Sequence, residues 1–189
     1  MDPANWQLLQ AVALGSLVAW ASGLRLYLVA FVLGLAARTG YLALPEGLAI
    51  LSHPYVIAAS GFLLAVEFLA DKVPGVDSAW DAVHTFIRIP AGAVLAATAF
   101  GDFDKGAQVI AFLLGGGLAF SSHGTKAAAR AVINTSPEPV TNVVASLTED
   151  VVAVSSILLA VFYPVVIVVV VVIGLVISLI VLKRTFSRD

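Results

Sequence analysis

Hydrophobic residues run in long blocks along this chain, and short polar stretches separate the blocks. The blocks lack the strict alternation of half-buried strands, so they indicate helices. About 20 consecutive apolar residues cross a bilayer as a helix. The pattern therefore predicts an all-α integral membrane protein with about six transmembrane helices, some of them broken or re-entrant.

The first block, residues 6–37, is too long for one straight span. We expect a break at Ser22-Gly23-Leu24-Arg25, where glycine loosens the backbone and a charged guanidinium interrupts the apolar sequence. A loop over residues 42–53 and two helices, near residues 54–72 and 79–100, follow.

The second part of the chain repeats this order. An apolar run, residues 107–120, meets a polar break at residues 121–126, and Gly124-Thr125-Lys126 matches Gly23-Leu24-Arg25. Helices near residues 141–163 and 164–182 come next. We interpret the chain as one polytopic domain, residues 1–189, made of two related halves of inverted orientation, residues 5–101 and 105–184.

The distribution of bases predicts the orientation. Lys183, Arg184 and Arg188 crowd the C-terminal end, which places that end in the cytoplasm by the positive-inside rule. No base precedes the first apolar block, which argues against a cleaved signal peptide. We expect a location in the bacterial cytoplasmic (inner) membrane and leave the side of the N-terminus open.

Composition excludes several classes of protein. Of 189 residues, 60% are hydrophobic and 12% are charged, whereas soluble domains run at about half apolar and about a quarter charged. A formal charge of −2 argues against a nucleic-acid partner. The chain has no cysteine, which excludes disulfides and thiolate metal sites. No phosphate loop, nucleophile elbow or dinucleotide fingerprint occurs, and we expect no cofactor.

The largest polar group lies on two successive predicted helices. Its members are Glu67, Asp71, Lys72, Asp77, Asp81, His84 and Arg88. Residues 67 and 71 are i,i+4, and residues 77 to 88 follow i, i+4, i+7, i+11, so each set lines one face of its helix. The second stripe extends about 16 Å along the axis, where an unpaired charge costs at least about 2.5–3.5 kcal/mol.

Three interpretations of this group stay open. The charges could neutralise one another as structural ion pairs that hold a helical hairpin. They could instead line a polar pathway in which His84 and the carboxylates take a proton or a cation. Asp77, Asp81 and His84, with Glu67 opposite, could also ligate a divalent metal ion, although no metal-binding motif accompanies them.

Two further polar groups come from the expected breaks and from the second half. The breaks contribute Ser22, Gly23, Arg25, His123, Gly124 and Lys126. Small residues beside a base at a helix break are typical of an anion site, and a tight hairpin would need the same residues. The third group is Asn142, Ser146, Glu149 and Asp150, which could contact a ligand or pair with Lys126 or Arg130.

These residues resemble a family of bacterial multi-pass membrane proteins with a domain of unknown function, and the similarity covers most of the chain. It rests on three motifs: Ser22-Gly23-Leu24-Arg25; Glu67-Phe68-x-Ala70-Asp71-Lys72-x-Pro74 with Asp77, Trp80-Asp81, His84-Thr85 and Arg88; and Asn134-Thr135-Ser136-Pro137-Glu138-Pro139 with Asn142, Ser146 and Glu149-Asp150. The resemblance implies that the three groups form one unit. It brings no substrate or reaction with it.

The sequence thus favours a small transporter-like or channel-like protein. Arg25 and Lys126 would attract an anionic solute or lipid headgroup, while Glu67, Asp81, His84 and Glu149 would carry a proton or cation. Two alternatives remain: a structural or assembly membrane protein with an ion-paired core, and an intramembrane metal-dependent hydrolase or transferase. Because so short a chain provides few walls for a pathway, we expect a homodimer in contact with membrane lipid.

Overall fold

A computed structural model describes residues 2–73, 75–133, 135 and 139–186. The helices are α1 (Pro3–Arg38), a 3₁₀ helix (Glu46–Ser52), α2 (Pro54–Ala70), α3 (Val76–Ala99), α4 (Lys105–Ile133), α5 (Pro139–Phe162) and α6 (Pro164–Phe186). No strand occurs in the described ranges, which confirms the all-α class. Pro74, most of the loop motif (Asn134 and residues 136–138) and Arg188, to which the sequence analysis gave roles, lie outside these ranges.

The lengths of the helices fit a membrane protein. Among the described residues, Pro3–Arg38, Val76–Ala99 and Val140–Leu159 are long and apolar enough to span a membrane. The 3₁₀ helix and α2, bent by 66° at their junction, make a fourth candidate if they count as one span. These three or four candidates are fewer than the sequence pattern predicted, because α4 is diluted by polar residues and the described apolar part of α6, Val165–Ile180, is short.

Helix α1 turns back on itself at Arg25, whose φ of −144° and ψ of 68° are not helical. Residues 42–45, which follow the second arm, line the same cavity of about 440 Å³ as residues 7–14 of the first arm. A straight helix of this length would hold those segments tens of ångströms apart. The expected break at residues 22–25 is therefore confirmed, and α1 is a helical hairpin with Arg25 at its tip.

Helix α4 is different, because it runs without interruption from Lys105 to Ile133. The predicted break at residues 121–126 is wrong. Ser121, Ser122, His123 and Lys126 are all buried inside the bundle. Their polar groups meet partners on neighbouring helices or on their own backbone, so the helix has no need to open. The inverted relation of the two halves stays a prediction.

Helices α3 and α4 pack closely and antiparallel, because small residues face each other. A Cβ atom on Gly92 would lie 2.6 Å from the Ala119 Cβ, and one on Gly115 would overlap Ala96. The bundle has two ends: the first holds the cavity with residues 7–14, 42–45 and 99–103, and the second holds the α2–α3 turn at residues 71–75. The apolar core lies nearer the first end, and the buried charges lie nearer the second.

Candidate functional site

Within the part of the chain that the structure describes, ten charged side chains meet inside the bundle, nine from α1 to α5 and one from Asp71 just after α2, and we call them the charge network. Its members are Arg25, Glu67, Asp71, Asp77, Asp81, Arg88, Lys126, Arg130, Glu149 and Asp150. The first eight are at most 4% exposed. The four bases and six acids carry a formal charge of −2, which is also the charge of the whole chain. The excess negative charge of this protein is therefore concentrated in its interior.

Arg25, at the tip of the α1 hairpin, is shared by four carboxylates. Its guanidinium forms an ion pair with Asp71, and Nε lies 2.9 Å from Asp150 Oδ1. Glu149 and Glu67 follow at 3.5 and 3.7 Å. Nη2 donates to the Ser146 hydroxyl at 2.7 Å and to the Ser146 carbonyl at 3.1 Å. The non-helical backbone at Arg25 thus brings one permanent cation to the junction of α2 and α5.

Arg88 and Lys126 occupy the deeper part of the network. Arg88 donates to Glu67 and, at 2.6 Å, to Asp81. The Lys126 ammonium lies 3.3 Å from Asp81, 3.5 Å from Glu149 and 4.0 Å from Glu67. Each base therefore contacts more than one acid, and Glu67 contacts three bases. The i, i+4, i+7, i+11 stripe of α3 faces inward as its spacing predicted.

Arg130 links the network to the start of α5. Its Nε donates to Glu149 at 3.1 Å, and Nη1 donates to the Asn142 amide oxygen at 3.2 Å. Nη1 also lies 3.9 Å from Asp77. Charged members of all three predicted polar groups thus meet in one network, with Arg130 closing it at the second end.

Two histidines border the charge network, and most of their hydrogen-bond partners are neutral groups. His84 Nδ1 lies 2.7 Å from the Trp80 carbonyl, which can only accept, so Nδ1 carries the proton and Nε2 accepts from the Tyr27 hydroxyl at 2.9 Å. The Trp80 indole stacks on the His84 ring. His123 Nε2 contacts the Thr85 hydroxyl at 2.7 Å, and its Nδ1 lies 3.4 Å from Arg88.

Some expected site residues stand apart from the network. Lys72 lies in the α2–α3 turn, where it donates to the Phe68 carbonyl at 2.8 Å and covers the Phe68 ring. Burial lowers the pKa of the Lys72 ammonium, and the nearby charge of Arg25 lowers it further. The Ser22 hydroxyl bonds to the Val18 carbonyl of its own helix. Gly124 is one more residue of continuous α4.

Gly23 packs against α4. The sequence predicted only that Gly23 lies at a helix break or in a tight hairpin. A Cβ atom there would overlap the Ser122 hydroxyl and the Ala119 carbonyl. Gly23 therefore lets the hairpin tip seat directly on α4. Sequence reasoning missed Tyr27, because a single tyrosine in an apolar helix gives no spacing signal.

The proposed metal ligands do not converge. Among the described residues, no group of three or more histidines and carboxylates is arranged to hold a metal ion. Asp81 is paired with Arg88 and Lys126, Asp77 lies near Arg130, and His84 bonds to Trp80 and Tyr27. The geometry gives no support to the metal-dependent hydrolase or transferase.

Several buried polar atoms of the network have no hydrogen-bond partner within the described part of the chain. They include Glu67 Oε2, Asp81 Oδ2 and Asn142 Nδ2. A buried polar atom left unbonded costs about 1–3 kcal/mol, so such atoms are commonly satisfied by water, a proton or a ligand. The network has capacity for further polar contacts.

Comparison with known protein families gives a match over most of the chain. The model of a family described as "Domain of unknown function (DUF4126)" matches residues 12–184. No curated protein and no solved structure matches the chain.

Proposed function

The chain belongs to the family of the domain of unknown function DUF4126, and we propose that it is a small transporter-like or channel-like membrane protein whose charge network binds the transported ion. The description of the family assigns no activity, so the proposal rests on the geometry. The observation that carries it is the position of Arg25 at the tip of a helical hairpin, in contact with four carboxylates inside an apolar bundle.

Interrupted helices that place charged groups inside a membrane domain are the usual way to build an ion site in transporters. Buried charges in spans are expensive, and they are typical of ion and proton pathways. The network also has a partly exposed edge, because the Glu149 and Asp150 side chains are 16% and 23% exposed. An ion could enter at this edge while the rest of the network stays sealed.

The charge balance favours a cation or proton over an anion. Arg25 and Lys126, which the sequence suggested as anion ligands, are already in contact with carboxylates of the protein. An anion would have to displace those carboxylates and would add to a net charge of −2. A positive charge would compensate the excess. We place the protein in the bacterial cytoplasmic membrane as a homodimer with its C-terminus in the cytoplasm.

A structural or assembly role is the second candidate, and one observation favours it. Every base of the network contacts at least two acids, as expected if the charges serve to join α1 to the other helices. The two candidates differ in whether water reaches these groups. A structural core stays dry, whereas an ion path must open.

Accessibility to a thiol reagent separates the candidates, because the chain has no cysteine of its own. Ser146→Cys and Ser122→Cys place a thiol in the network and beside it, at positions that are at most 1% exposed. Val73→Cys and Asp102→Cys are exposed controls at the second and first ends. Each variant is labelled with a membrane-impermeant maleimide in intact cells and in inverted vesicles.

Transport predicts that Ser146→Cys is labelled from at least one side while the fold is intact. Labelling of the two controls alone, each from its own side, contradicts transport and supports the structural role. Ion flux is measured in parallel, in sealed vesicles with imposed gradients of H⁺, Na⁺, K⁺ and Cl⁻. Glu67→Gln, at a fully buried site, should abolish a cation or proton flux that its exposed counterpart Glu46→Gln retains.

A further inference from the structure

We propose that Asp150 is the proton-exchanging carboxyl group of the charge network. The proposal deepens the proposed transport function, since it names the ion and the residue that first takes it up. It can be tested without any measurement of flux.

The first argument is the charge balance around Arg25. One guanidinium is shared by Glu67, Asp71, Glu149 and Asp150. Lys126 and Arg130 also contact Glu149 and Asp71, and Arg88 and Lys126 also contact Glu67. Among the ion pairs of the described residues, Asp150 has Arg25 alone. Of the four carboxylates around Arg25, it is therefore the one with the fewest bases, in a network that already has two acids in excess.

The second argument is the surroundings of Asp150. The charged groups that face it are Arg25 on α1, Asp71 and Lys72 at the end of α2, and Glu149 on its own helix. Two of these neighbours are acids, and both compete for Arg25. Lys72 is directed to Phe68 instead. A proton on Asp150 removes repulsion with both acids and leaves Arg25 to them.

The third argument is position. Asp150 lies on α5, a candidate span, and it shares Arg25 with Asp71, which caps α2 at the second end of the bundle. Its side chain is 23% exposed. An ionised carboxylate exposed to lipid within a span is unfavourable, whereas a protonated carboxyl group costs far less. Exposure also provides the route by which a proton can leave.

An independent observation supports the uptake of a proton by this network. Glu67 is fully buried, and its Oε2 atom has no hydrogen-bond donor within the described residues. Glu67 and Asp150 contact the same guanidinium, at Nη1 and Nε. When a proton leaves Asp150, the resulting carboxylate draws Arg25 toward itself, and Glu67 is the group that loses compensation.

Dicyclohexylcarbodiimide tests the proposal, because this membrane-permeant reagent modifies protonated carboxyl groups in apolar surroundings. The acid gives its proton to a carbodiimide nitrogen, its oxygen adds to the central carbon, and an O-to-N acyl shift yields a stable N-acylurea. No atom is lost, so the modified peptide gains the mass of the reagent. The purified full-length protein is treated in lipid vesicles over a pH series, and the modified residue is located by mass spectrometry.

We expect modification at Asp150 that falls about tenfold per pH unit once the group is mostly ionised. Asp150→Asn should remove it, Glu149→Gln should retain it at Asp150, and the exposed Asp102 serves as the aqueous control that stays unmodified. An infrared difference spectrum, wild type minus Asp150→Asn, should show the band of a protonated carboxyl group. An unmodified Asp150 in folded protein, without that band, overturns the proposal. Protection by Na⁺ at constant pH also overturns it, in favour of a metal cation.

The result is separable from that of the transport assay. A reactive Asp150 in a protein without flux leaves the proton site standing and contradicts transport. Flux through a folded protein whose Asp150 is unreactive supports transport and contradicts the proton site at Asp150.

Discussion

Replacing Gly23 by alanine tests whether the hairpin tip is seated on α4 as described. A Cβ atom at this position would overlap the Ser122 hydroxyl and the Ala119 carbonyl, and the second of these is backbone that cannot rotate away. Overpacking of this kind costs about 1–3 kcal/mol. Glycine to alanine in a helix is otherwise favourable by about 0.5–1 kcal/mol.

Gly117→Ala is the matched control, because the same methyl group there meets no atom within 4 Å. It should stabilise the protein by about 0.5–1 kcal/mol. Because both variants share the favourable effect of alanine in a helix, they should differ by the cost of overpacking alone, about 1–3 kcal/mol, which corresponds to roughly 2–12 °C in Tm for a domain of this size. Thermal unfolding of the purified variants in one detergent, followed by size-exclusion chromatography, measures the difference.

Equal Tm values for the Gly23→Ala and Gly117→Ala variants would refute this reasoning. They would mean that the tip of α1 does not lie against α4 at the distance described. A lower Tm for Gly117→Ala alone would instead place a packed surface on the face of α4 that we describe as open.

Three further substitutions test individual contacts of the site. Arg25→Gln should destabilise the protein by about 3–5 kcal/mol, because four acids lose their shared cation. Arg38→Gln, at an exposed position, should change the free energy of unfolding by less than about 0.5 kcal/mol. Equal effects of the two substitutions in chemical unfolding would contradict the charge network. Ser146→Ala removes the hydroxyl that accepts from Arg25 at 2.7 Å and should cost about 1.5–3 kcal/mol in the same assay. An unchanged midpoint of chemical unfolding would mean that water replaces the hydroxyl. Tyr27→Phe leaves His84 Nε2 without its hydrogen-bond donor and should cost about 1–3 kcal/mol of stability. The NMR resonance of the His84 ring should also shift. No change in either measurement would show that this hydrogen bond does not form.

The sequence was informative about which helix faces are polar, and less informative about what those faces meet. Spacing along α3 correctly turned Asp77, Asp81 and Arg88 to one side. Asp150, one of the partners of Arg25 on α5, is 125 positions away from it, and no local pattern connects the two residues. Pairings of this kind depend on how helices pack, which a single sequence does not encode in its periodicity.

The two predicted helix breaks show a second limit of prediction from the sequence. Both stretches combine glycine, serine and a base in an apolar run, yet only α1 is interrupted. At Arg25 the backbone itself leaves the helical conformation. In α4 the bases Lys126 and Arg130 instead reach carboxylates on other helices, so a regular helix satisfies them. Composition predicts where polar groups enter the bundle, but not whether the backbone or the side chain accommodates them.

The hairpin shape of α1 gives both of its arms the same open end. Residues 7–14 of the first arm and residues 42–45 after the second arm lie together at the first end, and Arg25 is the far point of the hairpin. A hairpin that enters a bilayer from its open end returns to the face from which it entered, so α1 would add no net crossing. In a homodimer, two parallel copies would present all of their Arg25 tips toward the same compartment, giving the assembly an intrinsic polarity.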